Sequence, residues 1–228
     1  FMKQNDIDHL TLAPNMNVKS FWTKAFVTFF LFGFSYFKRP WKANDDKSPT
    51  AIGIGAFNFL TREAYEAVGT HEAIRERPDD DLMLVVIIKK HGRRQRFVSA
   101  LDHLEVEWYS SLKEAFKGLE KNTFAGLYYS YIMVLVAVVG IFISQLLPFI
   151  ALFFTSGLTL LFYSLSIVCI FLAYLQTANA MSKNTLLYFL VFPITALLFI
   201  YSIIRAVYLT TKRGGIMWRG TFYPLKSL

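Results

Sequence analysis

The sequence predicts an α/β segment followed by an all-α transmembrane region. The first observation is the uneven charge: all 16 acidic residues of the 228-residue chain lie at or before Glu120. The second is that Lys183 is the only charged residue between Asn122 and Ile204. The third is composition, because 54 % of residues are hydrophobic and only 18 % are charged, which excludes a disordered or fibrous chain.

Cysteine content and net charge limit the kinds of site and partner. The single Cys169, inside an apolar run, excludes an intrachain disulfide and a cysteine-based zinc site. The net charge of +8 would suit nucleic acid or an anionic membrane surface. The long apolar half favours the membrane, so we expect no nucleic-acid partner and interpret 93–96 (RRQR) as a solvated turn or a lipid-headgroup contact.

The polar segment, residues 1–110, alternates short strands and helices. Pro14 ends the first strand, Thr61 can cap the first short helix, and Gly69 and Gly92 follow helices as C-terminal signals. In chain order the predicted elements are strand Asp8–Ala13, strand Ala51–Leu60, helix Arg62–Val68, a helix opened by Asp79–Asp81 and ending near Lys90, and strands Arg96–Leu101 and Leu104–Tyr109.

An aromatic stretch within this segment, Phe21–Phe37, is at the lower limit for a membrane span at 17 residues. Lys24 lies inside it, and basic residues follow it. Aromatic and basic side chains suit the headgroup zone, so an interfacial helix is favoured over a span.

A second amphipathic helix is predicted at 111–126. Ser111 and Glu114 form a capping-box pattern, and apolar residues then recur at helical spacing opposite Lys113 and Lys117. This helix would lie on the membrane before the first span.

Residues 127–209 contain three apolar stretches, each long enough to cross about 30 Å of hydrocarbon. They are about Leu127–Leu147, Phe149–Leu175 and Leu186–Tyr208. Pro148 marks a predicted turn, Pro193 falls inside the third span, and a basic tail, 210–228, follows.

Three crossings conflict with the distribution of basic residues. They would put the polar segment and the basic tail on opposite sides, whereas basic segments flanking spans favour the cytoplasm. Either one apolar stretch is re-entrant or another crossing exists, for which Phe21–Phe37 is a weak candidate.

The residues that could carry chemistry lie between 53 and 82. Gly53 and Gly55 would let another backbone or a ligand come close, although the dinucleotide-binding fingerprint does not follow. The three acids Asp79–Asp81 can complement a helix macrodipole, but one acid is enough for a cap. Crowded carboxylates are typical of sites that need a general base.

The order of these motifs, GIGAFNFLTREAYEAVGTHEAIRERPDDDLML, resembles the second half of a family 2 inverting glycosyltransferase with a GT-A fold. The resemblance covers essentially the whole chain, including its membrane helices. It is closest to membrane-bound enzymes that glycosylate lipids, such as ceramide glucosyltransferase-like and hopanoid-associated enzymes.

The resemblance implies roles for individual residues. Asp81 would be the catalytic base, and Asp80 would take the place of the first acid of the family's pair. Gly53, Gly55, Ala56 and Phe57 would line the donor and acceptor cleft. His71 would lie near the acceptor.

The resemblance also implies a nucleotide-sugar donor and a divalent metal, Mg²⁺ or Mn²⁺, held by an Asp-x-Asp motif. Asp6-Ile7-Asp8 matches this motif by letters only. We therefore expect that the metal ligands and the nucleotide-binding half lie upstream, and that this chain, as a fragment, is inactive alone.

A Gln-x-x-Arg-Trp motif is frequent in the family, and the corresponding stretch here is 118–122 (GLEKN). Lys121 could replace the arginine as a phosphate contact, with an interfacial lysine as the alternative. Arg219, after Trp218, is a weaker phosphate-contact candidate or an interfacial anchor.

The sequence thus predicts an integral membrane glycosyltransferase with its catalytic part on the cytoplasmic face of an inner or plasma membrane. It would move a sugar from a nucleotide donor to a lipid hydroxyl with inversion. Two alternatives remain: a processive polysaccharide synthase, disfavoured by the departure from the Gln-x-x-Arg-Trp motif, and a non-catalytic membrane anchor or assembly subunit.

Overall fold

The structure is a computed structural model that describes residues 2–75, 77, 79–179, 186–218 and 220–225. These residues form two compact units. The first unit comprises Phe1–Asn17 and Phe34–Val106, and the second comprises Val18–Gly33 and Glu107–Leu228.

A three-stranded sheet organises the first unit. Its order is β3 (Asn58–Leu60), β1 (His9–Ala13) and β4 (Gln95–Ser99), with β1 antiparallel to β3 and parallel to β4. Alternate residues of β1 are buried, as expected for a strand with one face in the core. Strand β2 (Asn15–Asn17) pairs separately with β5 (Glu105–Glu107).

The helices of the first unit begin and end at the expected signals. Thr61 accepts a hydrogen bond from the Ala64 N–H at 3.3 Å and so caps α3, and Gly69 has a φ of +83° after it. The helical elements are α1 (Met2–Asn5), the 3₁₀ turns Pro40–Asn44 and His71–Ile74, α3 (Arg62–Ala67) and α4 (Asp80–Lys90). Val68, Ile74, Leu84 and Ile88 form their apolar core.

The strand predicted over Ala51–Leu60 is wrong for most of its length, because only Asn58–Leu60 belongs to the sheet. Residues 51–57 follow an irregular path that includes a turn in which the Phe57 N–H donates to the Ile54 carbonyl at 2.9 Å. Several backbone groups here bond side chains instead of a neighbouring strand, which explains the departure from a regular ladder.

The amphipathic helix predicted at 111–126 is α5 (Leu112–Gly126), in the second unit. The Ser111 hydroxyl accepts from the Glu114 N–H at 3.3 Å, which completes half of the expected capping box. The Glu114 carboxylate accepts from the Ser110 N–H, one residue earlier than the pattern predicts. Ala115, Leu119 and Phe124 are fully or almost fully buried.

Among the described residues, three helices are long and apolar enough to cross a membrane, which supports membrane association. The first span is Tyr131–Ala151, formed by α6 (Tyr131–Ile141), a π-helical segment (Phe142–Leu146) and α7 (Leu147–Ala151). Helices α8 (Gly157–Asn179) and α10 (Phe192–Arg213) are the others, with short α9 (Leu186–Phe189) between them.

Pro148 and Pro193 have structural roles that differ from the predicted ones. Pro148 does not mark a turn: the helix continues through it to Ala151 after a π-helical segment, whose wider turn accommodates a residue without an N–H. Pro193 starts α10 instead of lying inside the span, and the first turn is where a helix tolerates proline.

Two further parts of the second unit differ from a simple sequence of spans. The tail after α10 is not irregular, since β6 (Gly215–Trp218) and β7 (Thr221–Pro224) form an antiparallel hairpin. Helix α2 (Phe21–Lys38) begins in this unit, and Phe26, Phe29 and Phe32 on it are buried.

Candidate functional site

The Asp81 carboxylate lies against the glycine-containing segment 53–57, within the first unit. One carboxylate oxygen, Oδ2, accepts the Gly55 N–H at 3.0 Å. The other, Oδ1, accepts the Leu82 N–H at 2.9 Å. Asp81 is in the first turn of α4, where the helix N-terminus carries a partial positive charge.

Gly53 is required by a close approach of two backbone segments. A Cβ atom at this position would lie 1.9 Å from the Asp81 carbonyl oxygen, well inside contact distance. At Gly55 a Cβ would lie 3.2 Å from Asp81 Oδ2, which is tight but less severe. The glycines therefore allow the segment to reach the start of α4.

A buried hydrogen-bond chain holds this segment in place. The Gln95 side chain accepts the Ile52 N–H at 3.2 Å and donates to the Ile52 carbonyl, so it replaces a strand partner for that residue. The same Gln95 amide nitrogen lies 3.0 Å from His9 Nδ1. His9 Nε2 lies 2.9 Å from Asn58 Oδ1, and the Asn58 amide donates to the Asp81 carbonyl at 3.4 Å.

The chain of donors fixes the tautomer of His9. Because the Gln95 nitrogen must donate, His9 Nδ1 accepts, and the ring proton is then on Nε2, facing the Asn58 oxygen. Burial lowers the pKa of His9 below its ordinary value, which keeps the ring neutral. On the same strand, the Thr11 hydroxyl donates to the Phe57 carbonyl at 2.9 Å.

The three consecutive acids have different surroundings. Arg77 binds both oxygens of Asp79 at 2.9 Å, which ties this carboxylate to the loop before α4. Asp80 is exposed, and within the described part of the chain its carboxylate forms no hydrogen bond or ion pair. Only Asp81 is brought against Gly53 and Gly55.

The remaining predicted site residues are His71, Ala56, Lys121 and Arg219. The Tyr65 hydroxyl lies 2.7 Å from His71 Nδ1 and also accepts the His71 N–H at 3.2 Å, so His71 is held by α3. Ala56 is exposed within the turn before Phe57. The Lys121 side chain and the whole of Arg219 lie outside the described residues.

An open apolar depression adjoins the segment. The rings of Phe57 and Phe59 lie 6.3 Å apart at its edge, and Phe59 is exposed. The depression is lined by Met2, Lys3, Gln4, Leu10, Phe57 and Phe59.

The described residues contain no group of three or more His, Cys, Asp or Glu side chains that could hold a metal ion. Asp6 and Asp8, the letter match to the family's metal motif, are paired with arginines instead. Asp6 binds Arg94 at 3.2 Å, and Asp8 lies 3.5 Å from Arg93. This part of the chain therefore offers no fit for the expected divalent metal.

Sequence reasoning missed His9, Gln95 and Asn58. The available signal was their position on adjacent strands, where polar residues at inward positions must bond one another once buried. Comparisons of the chain with protein-family models, with curated proteins and with solved structures found no match.

Proposed function

We propose that the chain is the C-terminal part of a membrane-bound glycosyltransferase that moves a sugar from a nucleotide donor to a lipid hydroxyl. One observation carries the proposal: Asp81 Oδ2 lies 3.0 Å from the Gly55 nitrogen, beside a backbone segment without side chains at two positions. Glycines within a strand-like segment also mark places where a ligand can approach the backbone closely.

In this reaction Asp81 takes the proton from the acceptor hydroxyl. The hydroxyl oxygen forms a bond to the anomeric carbon as the bond to the nucleoside diphosphate breaks, and the configuration inverts. Phosphate contacts by Lys121 and Arg219 stay predictions.

The buried chain from Gln95 to Asn58 would support this role by fixing both sides of the site. It holds the backbone of Ile52 and the carbonyl of Asp81, so the glycine segment and the start of α4 keep a constant separation. A general base must be held within hydrogen-bond distance of the proton that it removes. The three apolar helices would keep a lipid acceptor near the protein without extraction from the bilayer.

The test compares Asp81→Asn with Asp80→Asn in the complete protein that the gene encodes. Membranes are incubated with radiolabelled UDP- and GDP-sugars, and the label entering the lipid phase is measured. We expect Asp81→Asn to lose about 100-fold or more of the transfer rate, because general-base catalysis contributes about 10²–10⁴. Asp80→Asn, an exposed neighbour with the same charge change, should lose much less.

Wild-type turnover by Asp81→Asn at equal expression would refute the assignment of the base. Equal losses in both variants would show that charge at the start of α4, and not the Asp81 position, matters. Transfer by neither wild type nor variants would favour the non-catalytic alternative.

A further inference from the structure

The start of the first span and the end of α10 meet at one end of the second unit. The Tyr131 hydroxyl, at the first residue of α6, lies 2.9 Å from the Thr211 hydroxyl, near the end of α10. The two helices therefore lie side by side and run in opposite directions, each 21 or 22 residues long. We call this end the near end.

Helix α5 lies beside the C-terminal half of α10, where the Phe116 and Tyr201 rings are 5.4 Å apart, and Phe124 near its C-terminal end lies 5.5 Å from Tyr131 at the near end. Its Glu120 carboxylate accepts from Arg205 at 3.0 Å and also from Arg213, both on the C-terminal half of α10. Glu120 is only 14 % exposed, so this is a specific packing contact. At the near end itself, Lys212 and Arg213 on α10 are exposed.

The opposite, far end joins the end of the first span, the end of α8 and the start of α10. Phe149 and Phe192 have ring centroids 5.9 Å apart, and the Tyr174 ring lies 5.5 Å from Phe192. Leu146, Ala178 and Ala196 are buried in the same cluster. The C-terminal end of α8 is therefore at the far end.

The N-terminal end of α8 must be near the far end as well. Helix α8 begins at Gly157, and only residues 152–156 separate it from Ala151, the last residue of the first span. Five residues reach at most about 18 Å, whereas a 23-residue helix is about 34 Å long. With both ends on the far side, α8 does not make a crossing parallel to its two neighbours.

The surface of α8 fits lipid acyl chains. Only 6 % of its most apolar stretch is buried in the protein, against 33 % for α10. Its polar side chains do not need water, because Ser164 and Ser166 each donate to a carbonyl one turn earlier at 2.8 Å. A helix that is apolar on all sides and uncovered by protein is stable only in hydrocarbon.

We propose that α8 does not cross the bilayer and that it lies within the leaflet at the far end, with lipid acyl chains around it. One of the three apolar stretches is then re-entrant, which is one of the two arrangements that resolve the conflict with the basic flanks. The proposal does not depend on the proposed function.

The test is sidedness of single cysteines in a Cys169→Ser background, with the full chain in intact cells. Ser156→Cys and Lys183→Cys report the two flanks of α8, and Phe222→Cys, in the hairpin that follows α10, reports the near end. A membrane-impermeant maleimide is applied before and after permeabilisation. We expect Ser156→Cys and Lys183→Cys to react from the same side of the membrane, and Phe222→Cys to react from the other side.

Reaction of Ser156→Cys and Lys183→Cys from opposite sides would overturn the proposal, because α8 would then cross. Gln176→Cys, at the exposed end of α8, replaces Lys183→Cys if that variant is not produced.

Discussion

At the residue scale, the candidate site depends on a few positions where the backbone leaves no alternative. Gly53 is one, since the Asp81 carbonyl occupies the space that a side chain would need. Gln95 is another, because its side chain forms hydrogen bonds with the N–H and the carbonyl of Ile52 and with the ring of His9. A substitution at either position would move the segment beside Asp81.

We expect Gly53→Ala to destabilise the protein by about 1–3 kcal/mol, because the added methyl group displaces the backbone of Asp81. The control is Gly33→Ala in α2, where a Cβ would meet nothing within 4 Å and helix propensity favours alanine. Thermal unfolding in detergent compares the two variants. A Gly53→Ala variant as stable as Gly33→Ala would contradict the close approach.

His9 predicts a dependence of stability on pH. Burial lowers the pKa of His9 in the folded protein, whereas in the unfolded chain it returns to about 6.5. Below that pH the unfolded state binds a proton that the folded state excludes, so this contribution to stability is lost as pH falls through 6.5 toward the folded pKa.

The measurement is the unfolding free energy of wild type and His9→Gln at about pH 7.5 and about pH 5. We expect His9→Gln to be less stable at the higher pH, because the hydrogen bonds to Gln95 and Asn58 are altered, and to lose less stability on acidification. His103→Gln, at an exposed position, serves as the control and should behave like wild type. Equal acid sensitivity of wild type and His9→Gln would exclude His9 as the source.

At the element scale, the sequence predicts those helix boundaries that depend on residues next to them in the chain. The Thr61 cap, Gly69 and Ser111 each mark a helix boundary because they bond or bend the adjacent backbone directly. The turn predicted at Pro148 is wrong because a membrane helix can accommodate a proline next to a wider, π-helical turn.

The irregular path of residues 51–57 could not be predicted in the same way. Periodicity of apolar residues indicates a strand, but here Gln95, Thr11 and Asp81 supply hydrogen bonds from distant parts of the chain. Single-sequence patterns do not contain these partners. The same holds for the chain from His9 to Asn58, in which each member is unremarkable in the sequence and is explained only by the pairing of β1 with its neighbours.

At the scale of the whole molecule, the sequence separates a charged part from an apolar part, and the two units of the structure follow this division closely. One exception is informative: Val18–Gly33 belongs with the apolar part, although acidic and basic residues surround it in the sequence. Its phenylalanines supply apolar surface, with Phe29 only 5.0 Å from Phe192 of α10. Burial against a partner helix explains this grouping better than charge does.

The first span should cross the membrane because little of its apolar surface is covered by protein, and Val136 and Val139 are both exposed on it. Two arginines there would each cost about 2.5–3.5 kcal/mol near the bilayer centre. We therefore expect a Val136→Arg/Val139→Arg variant to keep the following loop, 152–156, from crossing. Ser156→Cys, in the Cys169→Ser background, should then be labelled from the opposite side of the membrane.

The matched control is Val136→Leu/Val139→Leu, which keeps the same surface apolar and should label like the parent. Unchanged labelling in the arginine variant would mean that Tyr131–Ala151 does not set the position of the loop. Because two-crossing and three-crossing arrangements both require this span to be inserted, the experiment tests the membrane anchor independently of how α8 lies. Its result determines whether the apolar half holds the charged half at the bilayer by this helix or by α10 and the helices packed on it.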